Sequence, residues 1–304
     1  MKNILVVSYS QSGQLDEIID NFLIPFDKEL IERVKIFPQV PFPFPWKSKE
    51  FFDAMPETVL EEKIELQEIN FQSSNYEMII IGYQPWYLSP SLPISSLLQN
   101  EKFIKLLKGT PVITIIGARN MWLNSQENIK EYIYKAGGEL VANIPLIDRN
   151  NNQVSALTIL HWMLTGKKQR FLNIFPYPGI SQKDIKGADA FGKIVFKAFM
   201  DKSFLGIQQA ILDLNLINIG TDILFIEARA KKIFNIFARI IKEKGTSKRK
   251  RSFLIYLFKY YLIIGLFILA PIILLIFNIF ARPFKHKTIQ KQKQYFYDIR
   301  RKQE

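Results

Sequence analysis

A chain of 304 residues can bury a full core and still carry a substantial extension. It has no cysteine, which excludes disulfides, thiolate-bound zinc, iron–sulfur clusters and cysteine nucleophiles; its only histidines are His161 and His286, too few for a histidine-rich metal site. The net charge of +13 raises nucleic acid as a partner, but residues 242–304 hold 15 Lys and Arg against three acidic residues, so the rest of the chain is nearly neutral. No groove-reading or aromatic motif accompanies the basic runs, and no nucleic-acid partner is expected.

In chain order, the first half alternates apolar strands with amphipathic helical stretches, the pattern of a parallel sheet covered on both faces. Strands are predicted over residues 3–8, 32–37, 78–82, 112–117 and 139–147, and crossover helices over 15–22, 94–107 and 125–136. Right-handed crossovers make this an α/β doubly wound sheet. Residues 38–56 (PQVPFPFPWKSKEFFDAMP) interleave proline with Phe42, Phe44, Trp46, Phe51 and Phe52. Such a stiff aromatic segment either packs on its own domain or covers a bound organic molecule. From residue 154 to about 243 the pattern is helical, with a break at 175–179 (FPYPG) and an amphipathic stretch over 220–241. His161, inside ALTILHWMLTG, has no carboxylate nearby in sequence and is expected to be structural.

Residues 260–281 (YYLIIGLFILAPIILLIFNIFA) carry no charge. As a helix they rise about 33 Å at ~1.5 Å per residue, close to the hydrocarbon thickness of a bilayer. The basic runs at 248–251 and from Arg282 onward suit an anionic lipid surface. A single span would place one basic flank outside, against the positive-inside tendency. Pro271 removes a backbone donor and allows a re-entrant or surface-lying anchor with both flanks in the cytoplasm; both topologies stay open. The apolar run in MKNILVVSYSQSG is too short for a signal peptide, so the body is expected in the cytoplasm, anchored to the inner membrane. The expected organisation is a cofactor-binding α/β domain over 1–150, a helical extension over 151–241, a basic linker over 242–252, a membrane anchor over 253–281 and a basic tail over 282–304.

The loop after the first strand, Ser8-Tyr9-Ser10-Gln11-Ser12-Gly13-Gln14, offers hydroxyls and clustered backbone amides without a lysine. A helix N-terminus and an amide nest bind a phosphate monoester without a formal cation, while the triphosphate motif GxxxxGK[ST] and the dinucleotide motif GxGxxG do not occur. An ordinary turn has the same composition, so position is what strengthens the reading. Two further loops, Gly82-Tyr83-Gln84-Pro85-Trp86-Tyr87 and Gly117-Ala118-Arg119-Asn120-Met121-Trp122, follow the third and fourth strands at the end where doubly wound sheets bind ligands.

The first loop resembles the flavodoxin superfamily's [ST]-x-[ST]-G-x-[ST] phosphate signature, with Ser10, Ser12 and Gly13 in register and Leu15 standing where the last hydroxyl is usual. That resemblance implies a flavodoxin-like sheet of order 2-1-3-4-5 and FMN as cofactor. It implies contacts from Ser10, Gln11, Ser12, Gly13, Gln14 and Leu15 to the phosphate. Pro85, Trp86, Tyr87, Gly117, Ala118, Arg119, Asn120 and Trp122 would lie around the ring. Taken together, SYSQSGQL, FPFPW…FFDAMPETV, GYQPWYLSPSLPISS and IIGARNMW resemble the bacterial dialkylresorcinol condensing enzymes, whose products are lipid-like phenols that can be esterified to flexirubin-type aryl-polyene pigments. Decarboxylative condensation runs through a cysteine thioester, which this chain lacks. The resemblance therefore implies a separate ketosynthase-like partner and, for this chain, flavin-dependent aromatisation of a cyclohexanedione-type intermediate to the resorcinol, with Tyr87 handling a proton and Arg119 stabilising an enolate. A membrane-tethered NAD(P)H:quinone reductase or electron carrier, and a non-catalytic scaffold for the ketosynthase, are the alternative readings.

Overall fold

The computed structural model describes residues 3–300; residues 1–2 and the last four of the basic tail, 301–304, lie outside the described residues. Five strands, β1 (Ile4–Ser8), β2 (Ile31–Lys35), β3 (Met78–Tyr83), β4 (Pro111–Ala118) and β5 (Glu139–Ile147), pair in parallel in the order β2-β1-β3-β4-β5. This is the flavodoxin-like doubly wound order, whose topological switch lies between β1 and β3. Every residue of β1 and β3 is buried, as strands covered on both faces require.

The helices α1 (Gln14–Phe22), α4 (Leu92–Leu98), α5 (Glu101–Leu107) and α6 (Leu123–Lys135) follow the strands. The helix predicted over 94–107 is two, because the Asn100 side chain accepts from the amides of Lys102 and Phe103 and starts α5 afresh. The proline-aromatic insertion forms two short helices, α2 (Ser48–Asp53) and α3 (Met55–Val59).

Beyond β5 the chain is helical: α7 (Asn152–Thr165), α8 (Gln182–Lys186), α9 (Ala188–Met200), α10 (Ile207–Asp213) and α11 (Thr221–Lys244). Helices α8 to α10 are not an appendage. Their Ile185, Phe191, Val195 and Ile211 share one buried cluster with α1 and one face of the sheet, and α4 to α6 cover the other face. Helix α9 sits so close to α1 that a Cβ added at Gly192 would lie 1.9 Å from the Phe22 carbonyl oxygen. Gly192→Ala must push the two helices apart and is expected to cost about 1–3 kcal/mol as core overpacking does, read as a lower midpoint in denaturant.

A continuous helix α12 spans Lys248–Ala281, long and apolar enough to cross a membrane by length and composition, with only 6% of its most apolar window buried. The basic run 248–251 is therefore its first turn, capped by Ser247, whose hydroxyl accepts from the Lys250 amide. A π-helical turn, Gly265–Leu269, precedes Pro271. Proline cannot donate and its ring crowds the carbonyl one turn earlier, and widening that turn accommodates both defects. Helix α13 (His286–Tyr297) follows.

Candidate functional site

The C-terminal ends of β1, β3 and β4 open into a cavity of about 530 Å³, a size usual for organic ligands. Gln11, Ser12, Gln14 and Leu15 line it from the first loop, and Pro85, Trp86 and Tyr87 from the second. Gly117, Ala118 and Arg119 line it from the third. Ser10, Gly13, Asn120 and Trp122 are outside the lining, although Asn120 Nδ2 donates to Oδ1 of the lining residue Asn152 at 2.9 Å. Trp122 is buried against the sheet and borders a separate small pocket of about 130 Å³.

Gly13 adopts φ 82°, a left-handed conformation open to glycine at little cost, and this starts α1 without a side-chain cap. Among the described residues, the five successive amides of residues 12–16 have no protein acceptor, and the buried Ser10 Oγ has no partner. Asp16, in the first turn, is held by Lys35 at 2.8 Å and Arg33 at 3.4 Å, so its charge is offset. The result is a nest of unsatisfied donors at a helix N-terminus, which is anion-binding chemistry. The glutamines fix the loop rather than obstruct it. Gln11 Nε2 donates to the carbonyls of Phe42 and Pro43, at 3.3 and 2.8 Å. Gln14 exchanges two hydrogen bonds with the backbone of Ile180, at 3.0 and 3.1 Å. Leu15 is core: it is 3% exposed and lies against Gly117.

The second loop is a hairpin in which Trp86 pairs with Ser89 across Tyr87 and Leu88, both at positive φ (48° and 65°). Non-glycine residues there cost about 1–2 kcal/mol each, and the surroundings hold them. The Tyr87 hydroxyl donates to the Phe51 carbonyl at 2.5 Å, and Lys231 Nζ donates to Ser89 Oγ at 2.6 Å. Burial pushes the Tyr87 phenol well above its ordinary value, so it stays protonated. Trp86 packs edge-on to Tyr9, Phe42 and Trp46, and the amide oxygen of Gln84, suitably turned, accepts from Trp86 Nε1 at 3.2 Å. The proline-aromatic segment packs on its own domain, and its Trp46, Phe51 and Phe52 also line the cavity.

In the third loop, Arg119 Nη1 donates to the backbone oxygen and Oδ1 of Asn152, at 3.0 and 2.7 Å. No carboxylate lies within ion-pair distance among the described residues. Burial lowers its pKa to about 10, so it remains a cation at neutral pH. Asn152 was not anticipated, nor was the apolar half of the cavity, where Leu160, Met163, Ile233, Phe234, Leu266 and Phe267 come from α7, α11 and α12. The available signal was the absence of a polar stripe in LTILHWML. His161 packs on Phe171, ring centroids 4.6 Å apart, consistent with the structural role expected for it.

One buried carboxylate supports the site from α11. Glu227, with no exposed surface, accepts from the Asn124 amide at 2.7 Å at the start of α6, and burial pushes its pKa up to about 7. The folded state therefore holds a proton the unfolded chain releases near pH 4.5, and stability falls as pH rises from about 4.5 to about 7, by something on the order of 3 kcal/mol. Glu227→Gln keeps the acceptor and is expected to flatten that slope, measured by urea unfolding of the detergent-solubilised chain at pH 5 and pH 8.

With solved structures, the chain is similar to a flavoprotein in complex with FMN from Lactobacillus acidophilus NCFM, at 17% identity, covering 48% of this chain and 93% of that one with a TM-score of 0.38. It is also similar to a flavodoxin from the domain Archaea, at 12% identity, covering 65% and 99%, with a TM-score of 0.32. No family model matches the chain, and no curated protein matches it.

Proposed function

We propose that the protein is a membrane-attached, FMN-dependent oxidoreductase that aromatises a cyclohexanedione-type intermediate in dialkylresorcinol biosynthesis. The observation that carries this reading is a single cavity with an amide nest at one end, a half-buried guanidinium and aromatic turn in the middle, and an apolar helical wall beyond. These features suit, in turn, a phosphate monoester, a planar ring with its enolisable partner, and alkyl chains. The amides of residues 12–16 with Ser10 and Ser12 would hold the phosphate, and Pro85, Trp86, Gly117 and Ala118 would border the ring. A bound flavin supplies the two-electron acceptor that the side chains of this cysteine-free protein do not.

Arg119, a cation held by Asn152, is placed to stabilise an enolate oxygen, and a fixed donor in a water-poor site is worth far more than one in solvent. The ring must lose a hydride, which a bound flavin would accept, and a proton, which would leave to water; Tyr87, kept protonated and bonded to the Phe51 carbonyl, serves as an orienting group rather than as the base. A ketosynthase-like partner is needed to join the acyl chains, since that chemistry uses a cysteine nucleophile.

The test is to purify the full chain in detergent, measure its FMN content and melting temperature with added FMN, and supply the partner's cyclised product while following flavin absorbance and phenol formation. The expected result is a yellow protein, stabilised by FMN, that forms phenol with bleaching of the flavin. A colourless protein whose melting is unmoved by excess FMN would favour the scaffold reading. Rapid reduction by NAD(P)H with quinone turnover and no phenol would favour the quinone reductase.

A further inference from the structure

Helix α12 is fastened to the α/β body at both ends. Near its start, Arg251 donates to Asp53 at 2.8 Å and to Glu57 at 2.9 Å, and Lys259 donates to Ser48 at 3.2 Å. Phe258 has no exposed surface and packs among Phe52, Phe234 and Phe237. Near its end, Phe277 stacks on Phe225 at 3.8 Å, and Asn278 donates to Asp222 at 3.2 Å. The chain then returns to the same body through α13. Gln208 donates to the Tyr297 carbonyl at 3.0 Å, the Tyr297 hydroxyl accepts from the Ile219 amide at 3.1 Å, and the Tyr134 hydroxyl donates to the Ile299 carbonyl at 3.0 Å.

A helix that crosses a bilayer puts about 30 Å of hydrocarbon between its flanks. One folded body cannot hold both flanks from opposite sides of that barrier. The middle of α12 also has a second duty: Ile263, Phe267, Leu269 and Ile273 line the ligand cavity and are themselves 37–45% exposed, so the cavity's edge lies on the helix surface. Around them Ile268, Ile272, Leu275, Ile276 and Ile279 are 52–62% exposed, an apolar face that water would not tolerate at this size. Cations stand at both ends of it, Lys248 to Arg251 before and Arg282, Lys285 and Lys287 after, the charge pattern that anionic headgroups attract.

We infer that α12 lies in the plane of one anionic lipid leaflet, with both flanks on the same side of the membrane, and that the cavity opens along α12 so that a lipophilic ligand enters sideways from the hydrocarbon. This deepens the membrane attachment proposed above and does not depend on the flavin.

Because the natural chain has no cysteine, single cysteines report cleanly. Ser252→Cys and Thr288→Cys, both at exposed positions flanking the apolar face, would be labelled with an impermeant maleimide in sealed membrane vesicles of each orientation. In vesicles of phosphatidylcholine with phosphatidylglycerol, a fluorophore on Ile268→Cys would be quenched by nitroxides placed near the top or near the end of the acyl chain. The expected result is labelling of both flanking cysteines from one and the same face, and stronger quenching at Ile268 by the shallow nitroxide. Labelling of the two flanks from opposite faces, stronger quenching from the bilayer centre, or a chain that stays soluble with position 268 open to the aqueous reagent would overturn the inference. None of these readouts requires FMN, so failure of the flavin reading would leave them standing, and their failure would leave the flavin reading untouched.

Discussion

Ser12→Glu is expected to abolish FMN retention, weakening binding by about 100-fold or more, or roughly 2.7 kcal/mol. The half-exposed Ser12 sits where, among the described residues, five successive amides of residues 12–16 lack a protein acceptor. A carboxylate there would take those amides itself and repel the phosphate dianion, since an anion near a helix N-terminus is favoured whatever its source. The fold should tolerate the change, because the site is a surface loop whose anchors are the Gln11 and Gln14 side chains rather than Ser12. Equilibrium dialysis of FMN against the variant, alongside the circular dichroism of its sheet and helices, checks both halves. Wild-type affinity in a folded variant would show that the nest is not the phosphate site.

Arg119→Leu carries the second large effect. The guanidinium lines the cavity beside Gly117 and Ala118, and among the described residues no carboxylate lies within ion-pair distance of it. If it stabilises charge that develops on an enolate oxygen, its loss should lower phenol formation by about 10²–10³-fold, chiefly in kcat, with a smaller change in KM. The protein should remain folded. Asn120 Nδ2 also donates to Asn152 Oδ1, at 2.9 Å, so that acceptor keeps a partner, and an apolar side chain avoids the desolvation that lowers the arginine's pKa. FMN content at wild-type level with collapsed turnover would separate an effect on chemistry from one on cofactor binding. Unchanged turnover would remove Arg119 from the reaction.

The sheet was legible because its signal is local. Runs such as MIIIG and VITIIG bury both faces of a strand, and their spacing leaves room for crossover helices. The first loop was legible for the same reason: Ser10, Ser12 and Gly13 sit at a strand-to-helix turn whose amides face outward in any protein that folds this way. Sequence spacing gives no direction to a side chain beyond a turn, which is why Trp122 read as a ring neighbour and instead fills the core. It gives no partner across 33 residues either, and the Arg119–Asn152 pair went unseen for that reason.

What the residues determined by themselves is therefore the doubly wound sheet, a cation-free strand-to-helix turn rich in hydroxyls and the existence of a long apolar helix flanked by basic runs. Tertiary structure alone decided that α8 to α10 complete the core, that a glutamate on α11 is buried at the start of α6, and that the apolar helix forms one wall of the cavity with both its ends fastened to one body. Backbone pattern follows from neighbours in the chain, whereas the burial of a face depends on which distant surface arrives to cover it.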